Sequence, residues 1–196
     1  MGVDIRIHGA IETANFGDIL LAWFCYDHLL HNSNVDEIKV YDACDKAYDI
    51  LKAEKPKNRK YGKAIFFGGG YLGDTRSFKA MLHKVRVHYL PMFECILKRI
   101  PYIIVGAGAR KFVNPLFIPF IRYCCNGADG IIVRNSESQE DLQRIGVHNI
   151  YDVTADMAVL FNNTMIPDYA VEFVDKKLET YVKRKKIVVH TGNCRP

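Results

Sequence analysis

The segment AIFFGGGYLGD, residues 64–74, decides the fold of this chain. Its first four residues are a continuous apolar run, which is typical of a strand buried on both faces of a sheet. The glycines that follow predict a tight loop at the end of that strand, because glycine adopts backbone conformations that other residues avoid. The segment therefore predicts an interior strand of a parallel sheet, followed by a glycine-rich loop.

The same alternation of strand and helix extends in both directions from this segment. Besides residues 64–67, the apolar pattern predicts strands at residues 4–9, 37–41, 102–105, 130–133 and 150–153. Helices are predicted at residues 19–30, at 78–99 with an interruption near Pro91, at 115–125 and at 137–145. Strands that alternate with helices are joined by right-handed crossovers, so the sequence predicts an α/β fold with a doubly wound parallel sheet.

The C-terminal part of the sequence starts this pattern again. Residues 168–185 predict a long charged helix, and residues 186–190 predict a strand that enters a turn at Gly192. We therefore interpret residues 1–185 as one domain and residues 186–196 as the first strand of a second domain. On this interpretation the chain is an incomplete part of a two-domain protein.

The composition is that of an ordinary globular protein, with 49% hydrophobic and 25% charged residues in a chain of 196. We interpret the two basic runs behind the net charge of +5, residues 55–63 and 176–186, as solvated surface, and expect no nucleic-acid partner. The longest apolar stretches, residues 19–24 and 116–121, are much shorter than the roughly 20 residues that a membrane span needs. We expect no integral membrane segment and a cytoplasmic protein, with peripheral membrane contact left open.

Three glycine-bearing loops follow predicted strands, and in a parallel sheet these strand ends share one edge. Ligands of open α/β sheets bind outside the carboxyl ends of the strands, where backbone N–H groups and helix N-termini favour an anion. One helix terminus contributes only about 0.3–1 kcal/mol to anion binding, so several loops must converge to select a ligand. The candidate ligand-binding glycines are Gly68, Gly69, Gly70, Gly106 and Gly108.

Four charged residues at predicted strand ends or helix starts are further candidates for ligand contacts. Arg134 terminates a buried predicted strand, where its planar guanidinium could grip a carboxylate or a phosphate, the alternative being a structural salt bridge. Asp156 could position a substrate hydroxyl or cap the residues that follow it. Asp18 and Asp74 could contact a ligand or cap backbone donors of a helix.

Several kinds of chemistry lack the residues they need. The glycines do not match the dinucleotide fingerprint, and no GxxxxGK[ST] phosphate loop is present, so we expect no cofactor. The pairs His28 with His31 and His83 with His88 lack the spacing and acidic neighbours of a helical metal site. We interpret these histidines as surface or partly buried side chains and expect no bound metal. No serine lies in a GxSxG elbow, and the catalytic residues stay unidentified.

Five segments, in order, resemble the motifs of the polysaccharide pyruvyl transferase family. They are NFGDIL at residues 15–20, FGGGYLGD at 67–74, VGAGA at 105–109, IVRNSES at 132–138 and VTAD at 153–156. Together they cover most of the chain, and the ordered set is far more specific than any one motif.

The resemblance implies a Rossmann-like domain that is the N-terminal half of a glycosyltransferase-B-like two-domain architecture. It also implies transfer of a pyruvyl group from phosphoenolpyruvate to hydroxyls of a glycan in exopolysaccharide biosynthesis. A lipid-linked acceptor and a homo-oligomer are left open. By position, Arg134 corresponds to the motif arginine and is expected to hold the donor, whereas Asn15, Gly17 and Asp18 are expected to line the acceptor side.

Two features depart from the family pattern or lie beyond this chain. Asn135 stands where the family commonly has Asp, which weakens any charge network around Arg134. The resemblance places the general acid or base, a histidine, in the second domain, so this chain alone is expected to be weakly active or inactive. Two alternatives stay open: half of a nucleotide-sugar-dependent glycosyltransferase, or a noncatalytic module that binds a sugar or nucleotide.

Overall fold

A six-stranded, all-parallel sheet organises the chain, whose computed structural model describes residues 2–73, 75 and 77–160. The strands are β1 Val3–His8, β2 Val35–Val40, β3 Lys63–Phe67, β4 Tyr102–Ala107, β5 Gly130–Val133 and β6 Ile150–Val153. They pair in the order β2-β1-β3-β4-β5-β6, every neighbouring pair being parallel. The chain thus reverses its direction across the sheet between β2 and β3, as a doubly wound sheet does.

Helices connect these strands. They are α1 Phe16–Leu30, α2 Asp45–Leu51, α3 Phe78–Lys84, α4 Leu90–Lys98, α5 Ile118–Asn126 and α6 Ser136–Arg144. A π-helix, Val85–Tyr89, joins α3 to α4, and a 3₁₀ turn, Met157–Leu160, follows β6. The predicted Rossmann-like α/β fold is confirmed, whereas the two-domain architecture stays a prediction. The predicted boundary at 185/186, with the helix and strand beside it, lies outside the described residues.

The sheet separates two hydrophobic cores. On one face, Ile5 and Ile7 of β1 pack among residues of α1 and α2. On the other face, Phe66 of β3 and Ile104 of β4 pack among residues of α4, α5 and α6. We call this second side the α4 face. Strand β3 serves both cores, with Ala64 and Phe66 on the α4 face and Ile65 and Phe67 on the other, which explains its continuous apolar run.

Strand β1 is exceptional because it turns two polar side chains toward the α4 face. Arg6 pairs in register with Ala64, and His8 pairs with Phe66, so both share the face of those apolar partners. Both are buried, with Arg6 5% and His8 1% exposed. Polar groups in a core position cost free energy unless they are hydrogen-bonded, so these two residues need a local explanation.

A loop rather than a helix covers β1 and β2 on the α4 face. The segment 52–62 follows α2 and lies against this part of the sheet. The Tyr41 hydroxyl donates to the Asn58 carbonyl oxygen at 2.7 Å, and Arg6 Nη1 donates to the Tyr61 hydroxyl at 3.0 Å. The right-handed crossover from β2 to β3 is therefore made by an irregular segment.

Four differences from the predicted helices stand out, one being that α5 begins at Ile118 rather than at residue 115. Helix α1 begins at Phe16 rather than at residue 19, because the Asn15 side chain accepts a hydrogen bond from the Gly17 N–H at 3.0 Å and caps the helix. The short helix α2 was not predicted. The interruption expected near Pro91 is the π-helix that runs directly into α4. Proline has no N–H to donate to the preceding turn, so the regular α-helical hydrogen-bond pattern is broken there. Among the described residues, no helix is long and apolar enough to cross a membrane.

Candidate functional site

The carboxyl ends of four neighbouring strands are tied together by backbone hydrogen bonds between their loops. Three of these bonds run from Gly108 N–H to the Gly69 oxygen at 2.8 Å, from Arg134 N–H to the Ala107 oxygen at 3.3 Å, and from Thr154 N–H to the Val133 oxygen at 2.8 Å. The loops after β3, β4, β5 and β6 therefore form one continuous edge. The structure brings most of the sequence-predicted residues to this edge, whereas Asp74 lies outside the described residues.

Arg134 lies at the centre of this edge and is held on two sides. Its Nη1 atom lies 2.7 Å from Asp156 Oδ2, and both side chains are about one-third exposed. A Cβ added to Gly108 would lie 2.6 Å from Arg134 Nε, and one added to Gly70 would lie 3.6 Å from Nη2. The guanidinium thus packs directly on the backbone of two loops, and a side chain at position 108 would require it to move.

The structural roles considered for these two residues, a salt bridge for Arg134 and capping of the following residues for Asp156, both occur. Arg134 forms a salt bridge with Asp156, and the second oxygen of Asp156 accepts a hydrogen bond from the Ala158 N–H at 3.1 Å. The salt bridge uses one terminal nitrogen of Arg134. The remaining donors lie beside Gly70 and Gly108, where the partly exposed guanidinium can meet an anion.

Asp18 faces the same edge from the first turn of α1. A Cβ on Gly69 would lie 3.2 Å from Asp18 Oδ1, which places this carboxylate against the loop after β3. The predicted capping role falls to Asn15 instead, whose side chain accepts from the Gly17 N–H. Partial burial raises the pKa of Asp18, Glu12 and Asp156 raise it further, and Arg134 opposes them. The charge of Asp18 therefore interacts with the charges of Arg134 and Asp156.

Replacing Asp18 with asparagine is expected to stabilise the protein at neutral pH. Because the pKa of Asp18 is raised above its ordinary value of 3.8, the native state holds this proton after the unfolded state has lost it. Stability therefore falls as pH rises from about 3.8 to the native pKa, and the uncharged asparagine side chain removes that loss. Urea unfolding across pH 3–8 should show that Asp18→Asn has a higher free energy of unfolding than the parent at neutral pH. This difference should be constant at the neutral end of the range and absent at the acid end.

The matched control for this measurement is Asp45→Asn in the first turn of α2. The hydrogen bond from Lys55 lowers the pKa of Asp45, so its ionised form is favoured in the native state. This control should give no gain at neutral pH. If Asp18→Asn were as stable as the parent, or less stable, at every pH, the burial and like-charge argument for Asp18 would be wrong.

Two further glycines of the predicted set, Gly68 and Gly106, pack against hydrophobic side chains. A Cβ on Gly68 would lie 2.7 Å from Leu21 Cδ1, and one on Gly106 would lie 3.4 Å from Met157 Cε. Gly68 therefore permits α1 to pack on the loop after β3. Met157 of the 3₁₀ turn covers Gly106 near the carboxyl end of β4, a contact that the sequence did not predict.

Helix α6 supports the loop after β4. Asn135 caps α6 by accepting a hydrogen bond from the Ser138 N–H at 3.0 Å, and Ser138 Oγ accepts from the Ala109 N–H at 2.8 Å. Asn135 thus serves the helix terminus, as an aspartate would. Ser138 was not predicted to make such a contact, although its place one turn after Arg134 was a signal that it could reach the neighbouring loop.

A buried aromatic stack underlies the glycine-rich loop after β3. The rings of Tyr71 and His88 stack with centroids 4.6 Å apart, and His8 meets His88 edge-on at 5.9 Å. The prediction that His88 is a surface or partly buried side chain is wrong, because it lies in the π-helix and is 4% exposed. Burial lowers the pKa of His88 to about 4, so the ring is neutral near pH 7. The stacked rings are thus uncharged near pH 7 and pack beneath the glycine-rich loop after β3.

Comparison with known proteins agrees with this arrangement. A family model described as polysaccharide pyruvyl transferase matches residues 15–193, which is nearly the whole chain. A search of curated proteins found no match. The matched range contains the capped N-terminus of α1, the glycine-bearing segments at 68–73 and 106–108, and the Arg134–Asp156 pair. The chain therefore belongs to the polysaccharide pyruvyl transferase family.

Proposed function

We propose that this protein takes part in transferring a pyruvyl group from phosphoenolpyruvate to two hydroxyls of a glycan, with the donor bound at the carboxyl edge of the sheet. The observation that carries the proposal is Arg134, whose guanidinium is fixed by Asp156 while other donors lie beside Gly70 and Gly108. A fixed, planar fork of N–H donors suits the phosphate and the carboxylate of this small donor.

The distribution of charge along the edge supports separate donor and acceptor sides. Glu12 and Asp18 follow β1, whereas Arg110 and Lys111 follow β4 and Arg134 follows β5. We assign the acidic side to the acceptor, because carboxylates accept hydrogen bonds from sugar hydroxyls. The basic side is assigned to the donor. Asn15 and Gly17 would line the acceptor side through the exposed start of α1.

The proposed chemistry balances without a redox cofactor. One glycan hydroxyl oxygen bonds to C2 of phosphoenolpyruvate, C3 takes up a proton, and the C2–O bond to phosphate breaks. A second hydroxyl oxygen bonds to C2 and closes a ketal. The two hydroxyl protons account for the new methyl proton and the proton that leaves on phosphate. Asp18, with its raised pKa, is assigned to accept one of these protons, since a base works best when its pKa approaches the working pH.

Some parts of this proposal rest on the family resemblance alone. These are the second domain, the general acid or base within it, the lipid-linked acceptor, homo-oligomer formation and contact with a membrane surface. The donor site proposed at Arg134 uses only residues at the carboxyl edge of the described sheet, so donor binding does not depend on that domain. Binding is therefore the informative measurement on this chain.

Calorimetric titration of the purified chain tests the donor. We expect saturable binding of phosphoenolpyruvate and much weaker binding of inorganic phosphate and of a nucleoside diphosphate sugar. The phosphate control separates recognition of the whole donor from general attraction of anions. Preferential binding of the nucleotide sugar would support the glycosyltransferase alternative, and binding of neither ligand would contradict a donor site at the carboxyl edge of the sheet.

A further inference from the structure

A second concave site lies on the α4 face, beside the edge described above. It is a cavity of about 360 Å³, which we call the arginine cavity. Its charged lining residues are Arg6, Glu12, Asp42, Arg59, Arg86 and Glu94. It lies where segment 52–62, rather than a helix, covers β1 and β2. The volume is near the lower end of the about 300–1,000 Å³ of small-ligand sites, enough for one or two sugar units.

Arg6 forms the inner wall and is fixed in place. Its Nη1 donates to the Tyr61 hydroxyl at 3.0 Å and to Glu94 Oε2 at 3.3 Å, and its guanidinium carbon lies 4.9 Å from the Tyr41 ring centroid. Nη2 lies 3.5 Å from Asp42. The cavity is therefore built around a rigid cation in a core position of a central strand.

Two buried polar atoms at this cavity have no hydrogen-bond partner among the described residues: Arg6 Nε and Glu12 Oε2. Arg6 itself is 5% exposed. Buried polar atoms in native proteins are usually hydrogen-bonded, and an unmet donor or acceptor costs about 1–3 kcal/mol. One donor and one acceptor in the cavity wall are thus unmet, and a sugar hydroxyl that reached them could satisfy either kind.

The rim adds two arginines that are available to a ligand. Arg59 in segment 52–62 and Arg86 in the π-helix are exposed, and neither side chain has a hydrogen-bond or ion-pair partner within the part of the chain that the structure describes. Of the carboxylates nearby, Glu94 already pairs with both Arg6 and Lys98, and Asp42 pairs with Arg6. The rim therefore favours a negative charge, whereas Glu12 favours a hydroxyl.

We infer that the arginine cavity binds an acidic sugar unit of the acceptor glycan, with its anionic substituent at Arg59 and Arg86 and its ring hydroxyls at Glu12. The inference rests on the proposed function for the identity of the glycan as acceptor. Glu12 connects the two sites, because it lines the cavity and is close enough to Asp18 to act on its charge. A sugar in the cavity would thus present its neighbour along the glycan to Asp18.

Ligand-observed NMR and calorimetry with three probes test this inference: glucuronate, glucose 6-phosphate and glucose. At least one of the two anionic sugars should bind about tenfold more tightly than glucose, and the better one identifies the carboxylate or the phosphate as the preferred substituent. The double variant Arg59→Gln/Arg86→Gln should weaken that binding about tenfold or more. Arg122→Gln, which removes an exposed arginine from α5, should leave it unchanged.

Three outcomes would overturn the inference: glucose binding as tightly as the anionic sugars, the double variant binding them normally, or no binding at about 50 mM, far above the millimolar range of weak affinity. Thermal unfolding of each variant checks that it remains folded. Titration with phosphoenolpyruvate on the same samples separates the two proposals. Donor binding without sugar binding refutes only the cavity, whereas sugar binding without donor binding refutes the proposed function and leaves a sugar-binding module.

Discussion

The variant Arg134→Ala is expected to bind phosphoenolpyruvate about 10- to 100-fold more weakly than the parent chain, because a hydrogen bond to a charged group contributes about 1.5–3 kcal/mol. The loss of donor affinity should be large, since the Arg134 guanidinium is already fixed in place by the protein. Its contacts with Asp156, Gly108 and Gly70 hold it in place before the donor arrives, so little ordering free energy is spent on binding. Calorimetric titration of both proteins gives the ratio directly.

Two further variants show whether charge or geometry matters. Arg134→Lys keeps the positive charge but loses the planar fork, so its affinity should lie between those of the parent and the alanine variant. Arg144→Ala removes an exposed arginine of α6 that pairs with Asp141, and it should bind the donor normally. An Arg134→Ala protein that remains folded and binds the donor as tightly as the parent would remove Arg134 from the donor site.

Replacing Gly73 with alanine is expected to lower the free energy of unfolding by about 2–4 kcal/mol. The φ angle of Gly73 is 129°, a region that is essentially confined to glycine. A Cβ there would also lie 2.7 Å from both the backbone nitrogen and the backbone oxygen of Arg110. The Arg110 backbone cannot retreat freely, because its N–H donates to the Leu72 oxygen at 3.0 Å. Strain and collision therefore act together.

Urea unfolding of Gly73→Ala against Gly17→Ala isolates this effect. Gly17 lies in the first turn of α1, where an added Cβ would meet only Asn15 Oδ1 at 3.5 Å, an ordinary contact. Alanine is favoured over glycine in a helix, so Gly17→Ala should be neutral or slightly stabilising. Equal stabilities for the two variants would show that the contact between the loops after β3 and β4 is not rigid.

The centre of the sheet was predictable from sequence because β3, β4 and β5 are largely buried. Continuous apolar runs bounded by glycine identify β3, β4 and β5, and the structure reproduces the residue range of β5. Helix α2 was missed because seven residues span barely two turns and give too little periodicity to detect. The π-helix was missed because its pattern differs from an α-helix by a single residue.

The members of the candidate edge were predictable, but their contacts were not. Parallel strands place their carboxyl ends together, so the gathering of the glycine loops and Arg134 follows from topology alone. The contact of Arg134 with Gly108 depends on a side-chain rotamer and on loop geometry that the sequence does not encode locally. The burial of Arg6 and His8 could not be predicted, because an alternating strand pattern does not indicate which face of the sheet its polar residues will share.

The π-helix between α3 and α4 also has a consequence for comparing relatives of this protein. Each residue of an α-helix turns the chain by about 100°, and a π-turn contains one residue more than an α-turn. A relative that lacks one residue between Val85 and Tyr89 would therefore have α3 rotated by that angle relative to α4. Met81, now fully buried, would leave the core, and a compensating set of apolar positions should accompany every such gap in an alignment.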